Sequence, residues 1–237
     1  MELKVIVENA SELSKTDPEA FSMIRRVGFG ASDSSVILGV NPFPDNTIED
    51  LIKQKQSKVV TANELKIGQL VNVRKGADLE PIIMQKFEEQ YDIPADKFDK
   101  PKHMYRIGDT PLTVNFDGEL QMSPFKIPVE CKFVSIWGAK YWDQVKACGS
   151  ELPIGGELEN LGDEVNSIYL TRRAAESGIP IYYYTQVQQQ LLALGAPFGY
   201  VAALFDKDWE LRVFKVIADE LVHKKLMEVA EELWKKV

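Results

Sequence analysis

Between Val114 and Phe133 the chain reads VNFDGELQMSPFKIPVECKF. Asp117 closes one apolar run, and Glu130 and Lys132 interrupt the next. Side chains alternate across a β-strand, so Glu130 and Lys132 share one face of VECKF, while Val129, Cys131 and Phe133 point to the other, into a core. If Asp117 ends the neighbouring strand on the same side, two carboxylates and an ammonium meet at one point. Paired carboxylates bind a hard divalent cation such as Mg²⁺ through oxygen. A lysine beside them can orient or deprotonate a water, and the set suits phosphodiester hydrolysis. The plain alternative is a same-face ion pair on a solvated strand, worth less than about 1 kcal/mol.

The surrounding segments predict alternating α and β structure. LKVIVEN reads as a short strand, PEAFSMIRR and TIEDLIKQKQ as helices, and SDSSVILG as a helix opening with a Ser or Asp cap. NPFPDN is a loop, and QSKVVTANELKIGQ has no clear period. LEPIIMQKFEEQY predicts a helix with Leu79, Ile83, Phe87 and Tyr91 on one face and Pro81 in its first turn. HMYRIGDTPLTVNFDGEL and FKIPVECKFVSI predict strands of an antiparallel sheet with hairpin-like connections. Residues 149–180 read as a long Gly-, Glu- and Asn-rich excursion. YYYTQVQQQLLALG predicts a helix ended by Gly195, and YVAALF with WELRVFKVI a hairpin around Asp206-Lys207-Asp208. The tail from Asp219 is an amphipathic helix. The expected fold class is mixed α/β, a central sheet flanked by helices.

The 237 residues suit one large domain or two small ones. The net charge of −8 argues against a protein that coats nucleic acid through a basic surface, though not against a local DNA channel. Two cysteines, Cys131 and Cys148, and two histidines, with no Cys-x-x-Cys spacing, make a disulfide framework or zinc site unexpected. No run of about 18 apolar residues occurs, so no membrane span is expected. With no signal peptide evident at the start, the expected location is cytoplasmic.

Four stretches, in order, carry a resemblance: RRVGFGASDSSVILGVNPF (25–43), KGADLEPIIMQKF (75–87), NFDGELQ through VECKF (115–133) and YYYTQVQQQLLALG (182–195). Together they resemble the phage lambda-type exonucleases, or YqaJ-like viral recombinases, of the PD-(D/E)xK nuclease superfamily. The resemblance implies a restriction-endonuclease-like core spanning residues 1–237 as a single nuclease domain. It implies that Asp117 and Glu130 hold catalytic Mg²⁺, for which Mn²⁺ substitutes, and that Lys132 positions the nucleophilic water. The backbone of Cys131 would complete the metal shell, its thiol remaining a small buried hydrophobe. Glu80 matches the family's helix glutamate, a further metal ligand, although a first-turn glutamate also suits the helix dipole. Arg25 and Ser32 match residues that grip the 5′-phosphate of a DNA end; Arg26, adjacent, competes with Arg25 for that role. Gln186 and Gln188 match a Q-x-Q helix. Two residues apart they lie about 200° from each other, so one faces the site and the other does not. Gln188 is the one expected against Lys132 or the water, with Gln186 as a nearby support. Tyr182 to Tyr184 are expected to pack under the sheet rather than stack on a nucleotide.

The chain departs from compact members of the family between Lys132 and Gln186, where an acidic insertion near residues 150–178 makes a candidate lid, subunit contact or partner-binding arm. The activity implied is 5′→3′ resection of double-stranded DNA ends to 3′ single strands, with a single-strand annealing recombinase as partner and a homo-oligomer, in the lambda type a ring trimer, as assembly. Two alternatives share the chain: an endonuclease or single-strand nuclease of the same fold, and a non-catalytic protein-interaction or DNA-mimic protein.

Overall fold

A computed structural model describes residues 2–68, 70–142 and 165–237. The strands run β1 (Leu3–Val7), β2 (Phe29–Gly30), β3 (Phe98–Asp99), β4 (Met104–Ile107), β5 (Leu112–Val114), β6 (Gly118–Met122), β7 (Phe125–Val134), β8 (Phe198–Phe205) and β9 (Leu211–Ile217). The helices are α1 (Ala10–Thr16), α2 (Pro18–Ile24), α3 (Ser34–Ile37), α4 (Ile48–Gln56), α5 (Ala62–Gly68), α6 (Val71–Gln90), α7 (Ser167–Ser177), α8 (Ile181–Leu194) and α9 (Glu220–Trp234).

Two sheets form where one antiparallel sheet was expected around residues 103–136. The smaller is ordered β1-β4-β5-β2 and the larger β3-β6-β7-β8-β9. The chain leaves β5 at Val114 and enters the larger sheet at Gly118, so Asp117 stands at the start of β6 and not at the end of the preceding strand. Gly118 is required there, because a Cβ would fall 2.4 Å from the ring tip of Phe98. The larger sheet is mixed: β7 and β8 run parallel, with Glu130 opposite Val201 and Lys132 opposite Ala203, and its other pairs are antiparallel. Pro128 lies one residue before the pairing with β8 begins, where its missing N–H breaks no bond to that strand.

Alternation along β7 and β8 divides the core. Val129, Cys131, Ala202 and Leu204 pack with Ile83, Met84 and Phe87 of α6 on one face. Val201, Ala203 and Phe205 pack with Tyr184, Val187 and Leu191 of α8 on the other. Leu192 and Ala193 of α8 instead join Phe29, Ile107, Leu112 and Val114 of the smaller sheet. Helix α8 is thus wedged between the two sheets, and nine of its residues are buried.

Two helices differ from expectation. α6 starts at Val71, so Pro81 lies inside a 20-residue helix instead of in its first turn. Apolar packing of Ile83, Met84 and Phe87 outweighs the one intrahelical bond that proline forfeits. α7 occupies residues assigned to a structureless excursion. Asn166 caps it, its side chain accepting from the amides of Ile168 and Tyr169, both at 3.0 Å, and Gly178 ends it at φ 72°. Leu170 and Ala174 carry it into the core. The rest of the expected insertion, 150–164, lies outside the described residues, as does Cys148.

Candidate active site

β6 and β7 bring the first three expected residues together. In their register Gly118 faces Val129, which sets Asp117 beside Glu130. The Cys131 amide donates to Asp117 Oδ2 at 2.8 Å, tying the carboxylate to the neighbouring strand. Lys132 Nζ donates to Glu130 Oε1. Glu130 is 3% exposed, so this is no solvated surface pair. Burial alone would lower the Lys132 pKa, but Glu130, with Tyr183 and Asp117 behind it, raises it above the ordinary lysine value. Its hydrogen bond to Glu130 places Lys132 to donate and orient. Its Nζ also lies 4.9 Å from the Tyr183 ring centroid.

Burial and the charges of Glu130 and Glu80 push the Asp117 carboxyl well above the usual range. Glu80, on α6, is raised by burial and by Glu130. Among the described residues, no three His, Cys, Asp or Glu side chains already stand together as a metal site. The oxygen donors of Asp117, Glu130 and Glu80 nonetheless fit a hard divalent cation, and their mutual repulsion is the load such a cation relieves. Glu130 instead satisfies itself with Lys132 and two amides. The Cys131 thiol, raised by burial, packs as a small apolar group with Val129 and Leu204.

The amides come from α8, and here one expectation is corrected. Gln186 Nε2 donates to Glu130 Oε1, and Gln190 Nε2 donates to Glu130 Oε2 at 2.6 Å. Residues four apart on a helix sit about 40° from each other, so both reach the same carboxylate. Gln188 faces the opposite way. Its Nε2 donates to the Ile217 carbonyl at 2.7 Å, and its Oε1 accepts from the Asp219 amide at 3.0 Å and lies 2.9 Å from His223 Nε2. Gln188 therefore joins the end of β9 to the start of α9 and does not contact Lys132. Gln190 escaped sequence reasoning; its i+4 spacing from Gln186 was the available signal.

Gln189, between them, turns to the smaller sheet. Its Nε2 donates to the carbonyls of Phe29 (3.0 Å) and Thr113 (2.8 Å), and its Oε1 accepts from Ser34 Oγ at 2.7 Å. This holds residues 29–34 against α8, one residue from the Gln190 that holds Glu130. Arg25 Nη2 donates to Ser32 Oγ at 2.9 Å, with 44% of the Arg25 side chain exposed. Arg26 is buried, bonded to the carbonyls of Ser57 and Val59 and paired with Glu64 at 2.8 Å. Of the two arginines, Arg25 is exposed and Arg26 is buried and braces the fold. Beneath Arg25, Lys55 Nζ donates to Asp33 Oδ2 at 2.9 Å and to the Arg25 carbonyl at 3.0 Å. Asp33 also accepts from the Gly30 amide, and although burial opposes its charge, Lys55 and Arg25 hold it below the ordinary carboxylate range. Neither Asp33 nor Lys55 carries a sequence signal that separates it from surface charge.

Tyr184 is buried, its hydroxyl 3.2 Å from Asp219 Oδ2, whereas Tyr182 and Tyr183 are only partly covered. No helix among the described residues is long and apolar enough to cross a membrane.

Comparison with known proteins gives the family and the fold. Residues 20–196 match the model of the YqaJ-like viral recombinase domain. No curated protein matches significantly. Among solved structures, an alkaline exonuclease (LHK-Exo) from Laribacter hongkongensis aligns at 13% identity over 91% of this chain and 92% of its own, with TM-score 0.56. LHK-Exo in complex with dAMP aligns at 11% identity over 90% and 89%, also at TM-score 0.56. At such identities the likeness is one of fold, and the expected mixed α/β, restriction-endonuclease-like class holds.

Proposed function

We propose, from the premise that the chain belongs to the YqaJ-like viral recombinase domain family, that it is a Mg²⁺-dependent exonuclease that resects double-stranded DNA ends 5′→3′. The observation that carries this reading is the constellation of Asp117, Glu130 and Lys132 on adjacent strands, Glu130 buried and the other two half-buried, with the Cys131 amide fastening Asp117. A retired site has no physical need to hold two repelling carboxylates and a lysine together out of full solvent.

Asp117, Glu130 and Glu80 would hold the metal, with the Cys131 backbone carbonyl beside them. A bound divalent cation supplies Lewis acidity, offsetting charge on the scissile phosphate and acidifying the attacking water. Lys132, as an ammonium, orients that water by donating to it. Gln186 and Gln190 hold Glu130 in place through its two oxygens. Arg25, with Ser32 beside it, binds the 5′-phosphate by charge-assisted hydrogen bonds. Gripping the terminal phosphate selects ends over internal sites, and local cations do this despite the net charge of −8. The 3′ strand left behind is the substrate of a single-strand annealing partner, and a closed homo-oligomer, a ring trimer in the simplest case, would keep the chain on its DNA.

Digestion of linear 5′-phosphate duplex, linear 5′-hydroxyl duplex and circular duplex, with and without Mg²⁺, tests the reading in wild type and Lys132→Ala. Mg²⁺-dependent loss of the linear 5′-phosphate substrate alone, abolished in the variant, is expected. Cutting of the circle would replace it with an endonuclease, and no cleavage by folded wild type would leave a binding protein.

A further inference from the structure

Outward from Lys132 runs a series of aromatic rings that the hydrolytic chemistry does not use. The Tyr183 ring, beneath the Lys132 ammonium, packs on Tyr182 with centroids 4.2 Å apart. Tyr182 meets Phe43 at 5.5 Å and Tyr141 at 6.1 Å, both edge to face, and Phe43 meets Tyr141 at 6.1 Å. Phe43 ends the series, 45% exposed. Phe43 is therefore the one ring of this series that solvent, or a ligand, reaches readily. Its loop is nonetheless held in shape. Asn41 Nδ2 donates to the carbonyls of Phe43 at 2.9 Å and Asn46 at 3.0 Å, and the Asn46 amide returns to the Phe43 carbonyl at 3.2 Å. The loop thus holds a half-exposed ring in place against two tyrosines, a preorganised aromatic contact.

We propose that Phe43 is a stacking residue for the nucleobase of the 5′-terminal nucleotide, the one about to be released. The inference rests on the nuclease reading above. Arg25 and Ser32 would hold that nucleotide's 5′-phosphate, and Asp117, Glu130 and Lys132 the phosphodiester on its 3′ side. Phe43 closes the same chain segment that begins with Arg25, and its ring reaches Lys132 through Tyr182 and Tyr183. On this proposal the base of a nucleotide held at both phosphates lies against this surface. Every base offers a π face, so stacking accommodates any sequence, as a processive end-digesting enzyme needs. The base must leave its pair to get there, and the stack offsets part of that unpairing cost.

The test compares kcat/KM of the full-length chain on 5′-phosphorylated duplexes with an ordinary or an abasic 5′-terminal nucleotide. Wild type, Phe43→Ala and Phe43→Leu are assayed, with unfolding midpoints as folding controls. Phe43→Ala and Phe43→Leu should each lose roughly tenfold or more on the ordinary end, the scale of one base–aromatic stack, yet change less than about twofold on the abasic end. Equal losses on both ends, or none on the ordinary end, would overturn the stacking role while leaving the nuclease reading intact. Failure of folded wild type to digest either duplex would overturn both.

Discussion

Gln186 and Gln188 lie two residues apart in one helix, and the structure predicts opposite consequences for their loss. Gln188 is fully buried and engages Ile217, Asp219 and His223. Gln188→Ala leaves the buried Asp219 amide without its partner, at about 1–3 kcal/mol, and removes a bond to the Ile217 carbonyl, so a loss of about 2–3 kcal/mol is expected. That is a large part of the roughly 5–15 kcal/mol that holds a domain folded, and it lowers a urea midpoint by about 1–2 M. Gln186 is partly exposed and makes one hydrogen bond, to the carboxylate of Glu130. Gln190 still holds the other Glu130 oxygen in Gln186→Ala, so the midpoint should hardly move. A charge-assisted bond worth about 1.5–3 kcal/mol, if needed to aim Glu130 during catalysis, costs about 10- to 100-fold in kcat. Urea titration and single-turnover digestion of a 5′-phosphate duplex measure the two quantities. An unshifted midpoint with collapsed kcat in Gln188→Ala, or full kcat in Gln186→Ala, would refute the assignment.

The neighbouring arginines separate in the same way. Arg25→Ala should raise KM about tenfold on 5′-phosphate ends and leave 5′-hydroxyl ends nearly unchanged, whereas Arg26→Ala should lower the urea midpoint, since it removes the ion-pair partner of Glu64 and a donor to the Ser57 and Val59 carbonyls. Asp219 contributes to acid stability. Burial pushes its carboxyl up, but the Tyr169 hydroxyl, the Val222 amide and Arg173 bring it below the ordinary value. A depressed carboxyl stabilises the fold above its unfolded value of about 4 and loses that contribution as pH falls through the folded one. Wild type should therefore exceed Asp219→Asn in unfolding free energy at pH 6 by more than at pH 3; a difference independent of pH would contradict this.

The strands around the site were legible because a period of two leaves little freedom. Alternation in VECKF placed Glu130 and Lys132 on one face before any fold was known, and β7 keeps them there. What alternation could not reveal was the change of sheet between β5 and β6. Both runs look equally apolar, and only the close approach of Phe98 to Gly118 marks where the chain crosses. α7 was hidden by its own polarity: SIYLTRRAAES buries only Leu170 and Ala174, too few to show a period, and its cap and its terminating glycine set its limits. The start of α6 was missed for the opposite reason, since a proline near a good apolar period reads as a first turn.

The glutamine helix is the harder case. A run of three amides between apolar residues looks like a solvated face, and composition gives no reason to bury it. α8 is buried because it fills the space between two sheets, so each amide must find a partner or cost about 1–3 kcal/mol. The helix spreads the partners by turning about 100° per residue. Gln189 finds the carbonyls of β2 and β5, Gln188 the junction of β9 and α9, and Gln186 with Gln190 the carboxylate of Glu130. A spacing of two along a helix cannot converge on one group and a spacing of four can. The pair to test against Glu130 in any related chain is therefore the first and last glutamine of Q-x-Q-x-Q, with the middle one reserved for the fold.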